Sequence, residues 1–128
     1  MAIRYLIDSN VIIYHLNGDE RATAFLRRHI QESAISQITY LEVLSFGYTD
    51  DATQLVSAFL DQFVLLDVTK PITLACVQNR KHKKIKVPDN IIAATAQVYN
   101  LTLVTHNTVD FSSLAVSVLD IFSSDLGS

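Results

Sequence analysis

Four acidic residues, Asp8, Glu42, Asp89 and Asp110, each fall at the end of an apolar strand-like run or near the start of a helix-like run. Carboxylates brought to one place repel one another, and a bound divalent cation is the usual compensation. A cation held this way can assist hydrolysis of a phosphodiester. The chain is therefore a candidate metal-dependent phosphodiesterase.

Each acid also has a plainer reading. Asp8-Ser9-Asn10 could be a helix N-cap, since all three residue types cap well. Capping needs only one of them, and an Asp closing a buried strand is costly without a partner. Thr39-Tyr40-Leu41-Glu42 reads as a capping box in which Glu42 reaches back to the Thr39 amide. Taken alone, that accounts for Glu42; the company of the other acids is what raises it. Asp89 follows Pro88, where the helix dipole favours an anion. In the polar stretch Thr105 to Phe111, Asn107 or Asp110 could form an Asx-turn. Thr105 and Asn107 are placed to position water or phosphate, with Asn10 as a further supporting polar residue.

The elements needed to gather these residues can be traced by periodicity. Ile3 to Ile7 reads as a buried strand ending at Asp8. Asn10 to Leu16 is a short helix closed by Asn17-Gly18, and Asp19 to Gln31 a second. Ala34-Ile35-Ser36 is a strand. Thr39 opens a helix that stops at Gly47, and Asp50-Asp51 opens another. Val64 to Val68 is the third strand. Pro71 sets the first turn of a helix to about Lys81, and Pro88 precedes one over Asp89 to Asn100. Leu101 to Val104 is the fourth strand and Val118 to Ile121 a short fifth. The tail, Ser123 to Ser128, is expected to fray. Strands alternating with helices imply an α/β domain with a mostly parallel sheet covered on both faces. Right-handed crossovers then put strand ends and the following helix starts on the carboxyl edge. One acidic pocket results if the first and fourth strands are neighbours.

Bulk properties agree. The chain has 128 residues, 49% of them hydrophobic, with three glycines and two prolines, which suits one domain with a real core. No apolar run approaches the roughly 18 residues of a membrane span. The start, Met1-Ala2-Ile3-Arg4, leads straight into a strand rather than a signal peptide. The single cysteine, Cys76, excludes an internal disulfide, reads as a small buried hydrophobe and suits a reducing cytoplasm. With one cysteine and scattered histidines, His15 and His29 read as structural and no zinc pattern emerges. There is no glycine-rich phosphate loop and no G-x-S-x-G.

Net charge is −3, so the total does not announce a nucleic-acid binder. Yet five of the ten lysines and arginines (Arg80, Lys81, Lys83, Lys84 and Lys86) crowd one short segment. A solvated helix end explains this as well as a phosphate contact does. The segment runs directly into Asp89, which favours a phosphate backbone passing nearby.

The motifs together resemble a known family. Leu6-Ile7-Asp8-Ser9-Asn10-Val11-Ile12, then Ile35-Ser36 with Thr39 to Glu42, then Lys86-Val87-Pro88-Asp89-Asn90-Ile91-Ile92-Ala93-Ala94-Thr95-Ala96, then Leu103-Val104-Thr105-His106-Asn107 with Asp110-Phe111, follow the order and spacing of the PIN-domain ribonucleases. In size and layout the chain resembles the VapC-type toxins of type II toxin–antitoxin pairs. The resemblance spans essentially the whole chain. It implies a three-layer α/β/α domain over residues 1–128 with a parallel sheet of four to five strands. It implies that Asp8, Glu42, Asp89 and Asp110 hold Mg²⁺ or Mn²⁺, with Thr105 and Asn107 as neighbouring polar residues. It also implies a homodimer neutralised by an antitoxin. Two departures stand out: His106 replaces the Arg of many relatives, and the stretch before Asp89 is unusually rich in lysine. Neither removes an acidic residue, so activity is expected to survive.

The expected reaction is hydrolysis of an RNA phosphodiester, with Asp8 and Asp110 as direct ligands and Glu42 and Asp89 acting through water. In-line attack leaves a 5′-phosphate and a 3′-hydroxyl. Lys81, Lys83, Lys84, Lys86 and His106 would hold the RNA backbone. Three rivals are a silent PIN-like binding module, a DNA-directed nuclease of the same superfamily, and a phospho-acceptor domain using Asp67. A silent module has no need of the complete quartet, the chain is short for a helical arch, and no lysine follows Lys86 for a phospho-acceptor site.

Overall fold

Tyr5–Ile7 (β1) is buried along its whole length and forms the middle of a five-stranded sheet in the computed structural model, which describes residues 2–123. The chain continues through α1 (Ser9–Leu16), α2 (Glu20–His29), a 3₁₀ turn at Ile30–Glu32, β2 (Ser33–Ser36), α3 (Gln37–Leu44) and α4 (Asp50–Leu60). Then come β3 (Val64–Leu66), α5 (Lys70–His82), α6 (Val87–Tyr99), β4 (Thr102–Val104), α7 (Thr108–Phe111) and β5 (Val118–Leu119). The strand order is β3-β2-β1-β4-β5 and every pair is parallel. The expected neighbours, β1 and β4, pair with Leu6 opposite Leu103 and Ile7 opposite Val104.

Alternation along the strands divides the core between two faces. Tyr5, Ile7, Ile35 and Val104 point into one cluster with Val11 and Ile12 of α1, Leu26 of α2, Val43 of α3 and Leu60 of α4. Leu6, Ala34 and Leu103 point into the other with Ile92, Ala93 and Ala96 of α6. The small side chains of α6 let its backbone lie close to the sheet. The result is the three-layer α/β/α arrangement expected from the sequence.

Boundaries move by a residue or two, as they do when hydrogen bonding competes with pattern. Two differences matter. Ser36, not Thr39, is the N-cap of α3: its hydroxyl accepts from the Ile38 amide at 3.1 Å. The expected capping box therefore does not form, Thr39 is buried inside the helix, and Glu42 lies in its second turn. Asp110 sits in the helical turn α7 rather than in an irregular loop. Cys76 is half-buried rather than buried. Apart from Ser123, the tail expected to fray lies outside the described residues. Among the described residues no helix is long and apolar enough to cross a membrane.

β3 is an edge strand, and Asp67 just beyond it accepts a bond from Gln37 Nε2 at 2.7 Å. Two strand positions separate it from β1, so it cannot pair with Asp8 as a phospho-acceptor site requires.

Candidate active site

Sheet order reverses between β1 and β4: the chain builds outward through β2 and β3, then returns to the other side of β1. Such a reversal opens a crevice at the carboxyl ends of the two strands. Asp8 ends β1 there and Thr105 ends β4. The Asp8 amide extends the ladder by donating to Val104 O at 2.9 Å.

Asp8 is only 5% exposed. It is the N-cap of α1, accepting from the Ser9 amide at 2.7 Å through Oδ1. Its Oδ2 accepts from Thr105 Oγ1 at 2.8 Å and from Asn10 Nδ2 at 3.3 Å. Capping and site geometry thus coincide in one carboxylate. Burial pushes the Asp8 carboxyl up to about 6, against the pull of the Thr105 and Ser9 bonds, and the charges of Asp89 and Glu42 push the same way.

The supporting polar residues form one network. Asn10 Nδ2 also donates to Thr105 Oγ1 at 3.1 Å, and its Oδ1 accepts the His106 amide at 3.1 Å. The Asn107 amide donates to Thr105 Oγ1 at 3.0 Å. Asn107 Nδ2 donates to Asp110 Oδ2 at 2.6 Å. Asn10, Thr105 and Asn107 therefore link Asp8 to Asp110 through neutral groups.

Asp89 lies in the first turn of α6, where its carboxyl is raised by burial first and then by the charges of Asp110 and Glu42, partly offset by Lys86. Among the described residues no hydrogen bond holds the Asp89 carboxylate. It is the acid through which the four charges couple, since it feels both Asp110 and Glu42 and acts on Asp8.

Glu42 points at the crevice from α3 and is held by a residue that sequence reasoning treated only as a capping candidate. Ser9 Oγ donates to Glu42 Oε1 at 2.6 Å and approaches Thr39 Oγ1 at 3.3 Å. Ser9 and the buried Thr39 are the positioning residues missed from sequence. The available signal was a serine directly after Asp8, on the first turn of α1. Among the described residues no three carboxylate or imidazole side chains stand close enough to enclose an ion in this conformation. Glu42 and Asp110 each rest on a neutral partner instead.

The basic segment divides. Lys83, Lys84 and Lys86 line a cavity of about 130 Å³ with Asp89 and Asp110. Lys83 is committed to the backbone beyond Asp110. Lys81 faces a separate apolar pocket with Cys76 and Val77. The His106 ring turns to Asp120 at 3.3 Å and packs against Tyr14 and Phe122. His15 bonds Thr23 and His29 bonds Glu32, both away from the acids.

A parallel α/β/α sheet with acids at its β1–β4 switch point defines a class, and comparison with known proteins agrees. The model of the PIN domain matches residues 5–116, and the chain belongs to the PIN-domain family. It is 32% identical over 114 residues to Ribonuclease VapC19 of Mycobacterium tuberculosis, covering 83% of this chain and 90% of that one. Its fold is similar to a toxin–antitoxin complex from Klebsiella pneumoniae, with a TM-score of 0.83 and 32% identity over 92% of this chain and 98% of the other. It is similar also to FitAcB from Neisseria gonorrhoeae, with a TM-score of 0.80 and 26% identity over 91% and 97% of the two chains.

Proposed function

We propose that this protein is an endoribonuclease dependent on Mg²⁺ or Mn²⁺, and that it serves as the toxin of a type II toxin–antitoxin pair in the cytoplasm. The observation that carries the reading is a buried carboxylate, Asp8, at the sheet's switch point, coupled to Asp89 and Glu42 and bonded only to neutral groups. A relative named as a ribonuclease and a similar toxin–antitoxin complex support the substrate class and the partner.

The donor set fits a hard divalent cation, because every carboxylate in it offers oxygen alone. Asp8, Glu42, Asp89 and Asp110 would hold it. When bound, the cation supplies Lewis-acid chemistry, polarising a phosphoryl oxygen and making an attacking water more acidic. The protein's own part is orientation. Thr105 and Asn10 fix the Asp8 carboxylate, Ser9 fixes Glu42, and Asn107 fixes Asp110. Lys84 and Lys86, exposed beside Asp89, neutralise the approaching RNA backbone.

A groove of about 500 Å³ between α1 and α3, lined by Ile13, Tyr14, Phe46 and Glu42, opens beside the acids. An antitoxin segment seated there would lie across Glu42 and block the crevice. The active unit in this reading is a homodimer.

The deciding experiment is cleavage of a mixed RNA pool in Mg²⁺, Mn²⁺ or EDTA, with wild type beside Asp8→Asn. Metal-dependent cutting that the variant loses, leaving 5′-phosphates, is the expected result. Cutting that persists in EDTA or in the variant would overturn the assignment.

A further inference from the structure

Lys83 belongs to the basic segment, yet its ammonium is already spent. Nζ lies 2.9 Å from Val109 O, 2.8 Å from Ser112 O and 3.2 Å from Ser112 Oγ. An ammonium has three N–H donors, and this geometry uses all of them. The Ser112 hydroxyl donates in turn to Val109 O at 2.7 Å. These acceptors are the closing end of α7, the four-residue helix that carries Asp110.

A helix this short cannot sustain itself. Its nucleation is unfavourable, and its terminal carbonyls have no partner within the helix. Val109 O accepts from the Ser112 amide and hydroxyl, and Lys83 adds a charged donor to it and to Ser112 O, at the end where helix carbonyls favour a cation. The lysine is itself anchored. Its amide donates to Asn79 O at 3.0 Å at the end of α5, and Asn79 is buried against Asn90 and Gln97 of α6. A continuous path of bonds thus runs from the α5–α6 pair through Lys83 to the backbone that carries Asp110.

We propose that Lys83 is a positioning residue for Asp110 rather than a contact to phosphate. Its ammonium holds the end of α7, while Asn107 holds the Asp110 carboxylate at 2.6 Å. The proposal rests on the reading that the four acids hold a divalent cation. It divides the basic segment by role: Lys83 shapes the acidic site, and Lys84 and Lys86 at the cavity rim remain for the nucleic-acid backbone.

The test compares wild type, Lys83→Met, Lys83→Arg and Lys84→Met in three measurements. These are Mn²⁺ affinity by calorimetry, amide exchange of residues 108–112 in EDTA, and the salt dependence of binding to a single-stranded RNA oligonucleotide in EDTA. Lys83→Met is expected to bind Mn²⁺ about tenfold more weakly, the low end for removing a group that supports a metal ligand. It should exchange faster across 108–112 and keep the wild-type salt slope. Lys83→Arg, which keeps the donors, should regain most of the Mn²⁺ affinity. Lys84→Met should do the reverse, lowering the salt slope by about 0.7 with Mn²⁺ affinity intact. A lowered slope in Lys83→Met with unchanged Mn²⁺ affinity would make Lys83 a phosphate contact and overturn the proposal. Faster exchange alone, without weaker Mn²⁺ binding, would reduce it to a structural tie and also overturn it. Wild type that takes up no Mn²⁺ would instead sink the metal reading, and the role given to Lys83 with it.

Discussion

Thr105 Oγ1 lies 2.8 Å from Asp8 Oδ2, joining the end of β4 to the end of β1 across 97 positions of sequence. The same oxygen accepts from Asn10 Nδ2 at 3.1 Å and from the Asn107 amide at 3.0 Å. A single fully buried hydroxyl therefore organises the floor of the crevice.

Replacing that hydroxyl tests its importance. Thr105→Val keeps the shape but removes one of the three bonds to the buried Asp8 carboxylate, and the acceptor of the Asn107 amide and of one Asn10 N–H. The loss should be about 2–3 kcal/mol of stability by chemical denaturation, and the Asp8 carboxyl should titrate still higher by NMR, because the Thr105 bond now pulls it down. Stability and titration equal to wild type would show that the bond is not formed in solution.

Asp8 also gives the metal-free protein an unusual pH dependence. Its folded carboxyl titrates near 6, against 3.8 for a free one. Between those values the folded state keeps a proton that the unfolded chain releases. Stability therefore falls as pH rises from about 4 to about 6, by about 3 kcal/mol in all, the reverse of an ordinary paired carboxylate. Asp89 adds in the same sense. Asp19 and Glu32, held in their charged forms by the Ala22 amide and by His29, act oppositely in more acid solution, and His15, whose imidazole is lowered by burial, acts oppositely just below 6.5, at the top of the range. Thermal unfolding in EDTA across this range should show the decline, Asp8→Asn should flatten most of it, and Mn²⁺ should restore stability at pH 7. An Asp8→Asn curve parallel to wild type would refute the assignment.

The exposed lysines make a separate claim. Lys84→Met with Lys86→Met should lower the salt slope of single-stranded RNA binding by about 1.4, or about 0.7 for each phosphate no longer neutralised. Filter binding between 50 mM and 200 mM salt measures this directly. A slope that does not move would assign the segment to solvation alone.

The α5–α6 pair is locked by amides. Asn79 Nδ2 lies 3.0 Å from Asn90 Oδ1 and 2.9 Å from Gln97 Oε1, Gln97 Nε2 returns a bond to Asn79 Oδ1 at 3.0 Å, and Asn90 Nδ2 reaches Cys76 O at 2.9 Å. Asn79→Ala leaves the buried Asn90 Oδ1 and the half-buried Gln97 amide without their Asn79 partner and should cost about 1–3 kcal/mol. Because Asn90 adjoins Asp89, Mn²⁺ affinity should fall as well, which calorimetry can separate from the stability loss. Unchanged stability would mean the network contributes nothing net.

Much of the fold was legible because strand and helix periods differ and each strand here is apolar on both sides. Ile3 to Ile7 reads as a buried strand, and the β1–β4 pairing required of the acids is present. The start of α3 was misread because Thr39 to Glu42 satisfies a capping pattern that Ser36, three residues earlier, satisfies first. Local sequence offers both caps; burial of Thr39 beneath Ser9 decides between them. Around Asp110 the sequence shows only a polar stretch, because α7 has one turn, too short for a periodic signal, and is completed by Lys83 from a distant segment.

The residue types and order along this chain determined an α/β fold, a parallel sheet and four carboxylates on its carboxyl edge, since those follow from apolar periodicity and the handedness of crossovers. Tertiary structure alone decided which partner each polar group took. Ser9 went to Glu42, Thr105 to Asp8 and Lys83 to the end of α7, and these bonds span 33, 97 and 26–29 positions. No local pattern encodes such pairings. The Thr105–Asp8 bond arises because a buried donor or acceptor must find a partner wherever the packed chain brings one within about 3 Å; the other two form where packing sets Ser9 and Lys83 beside their acceptors.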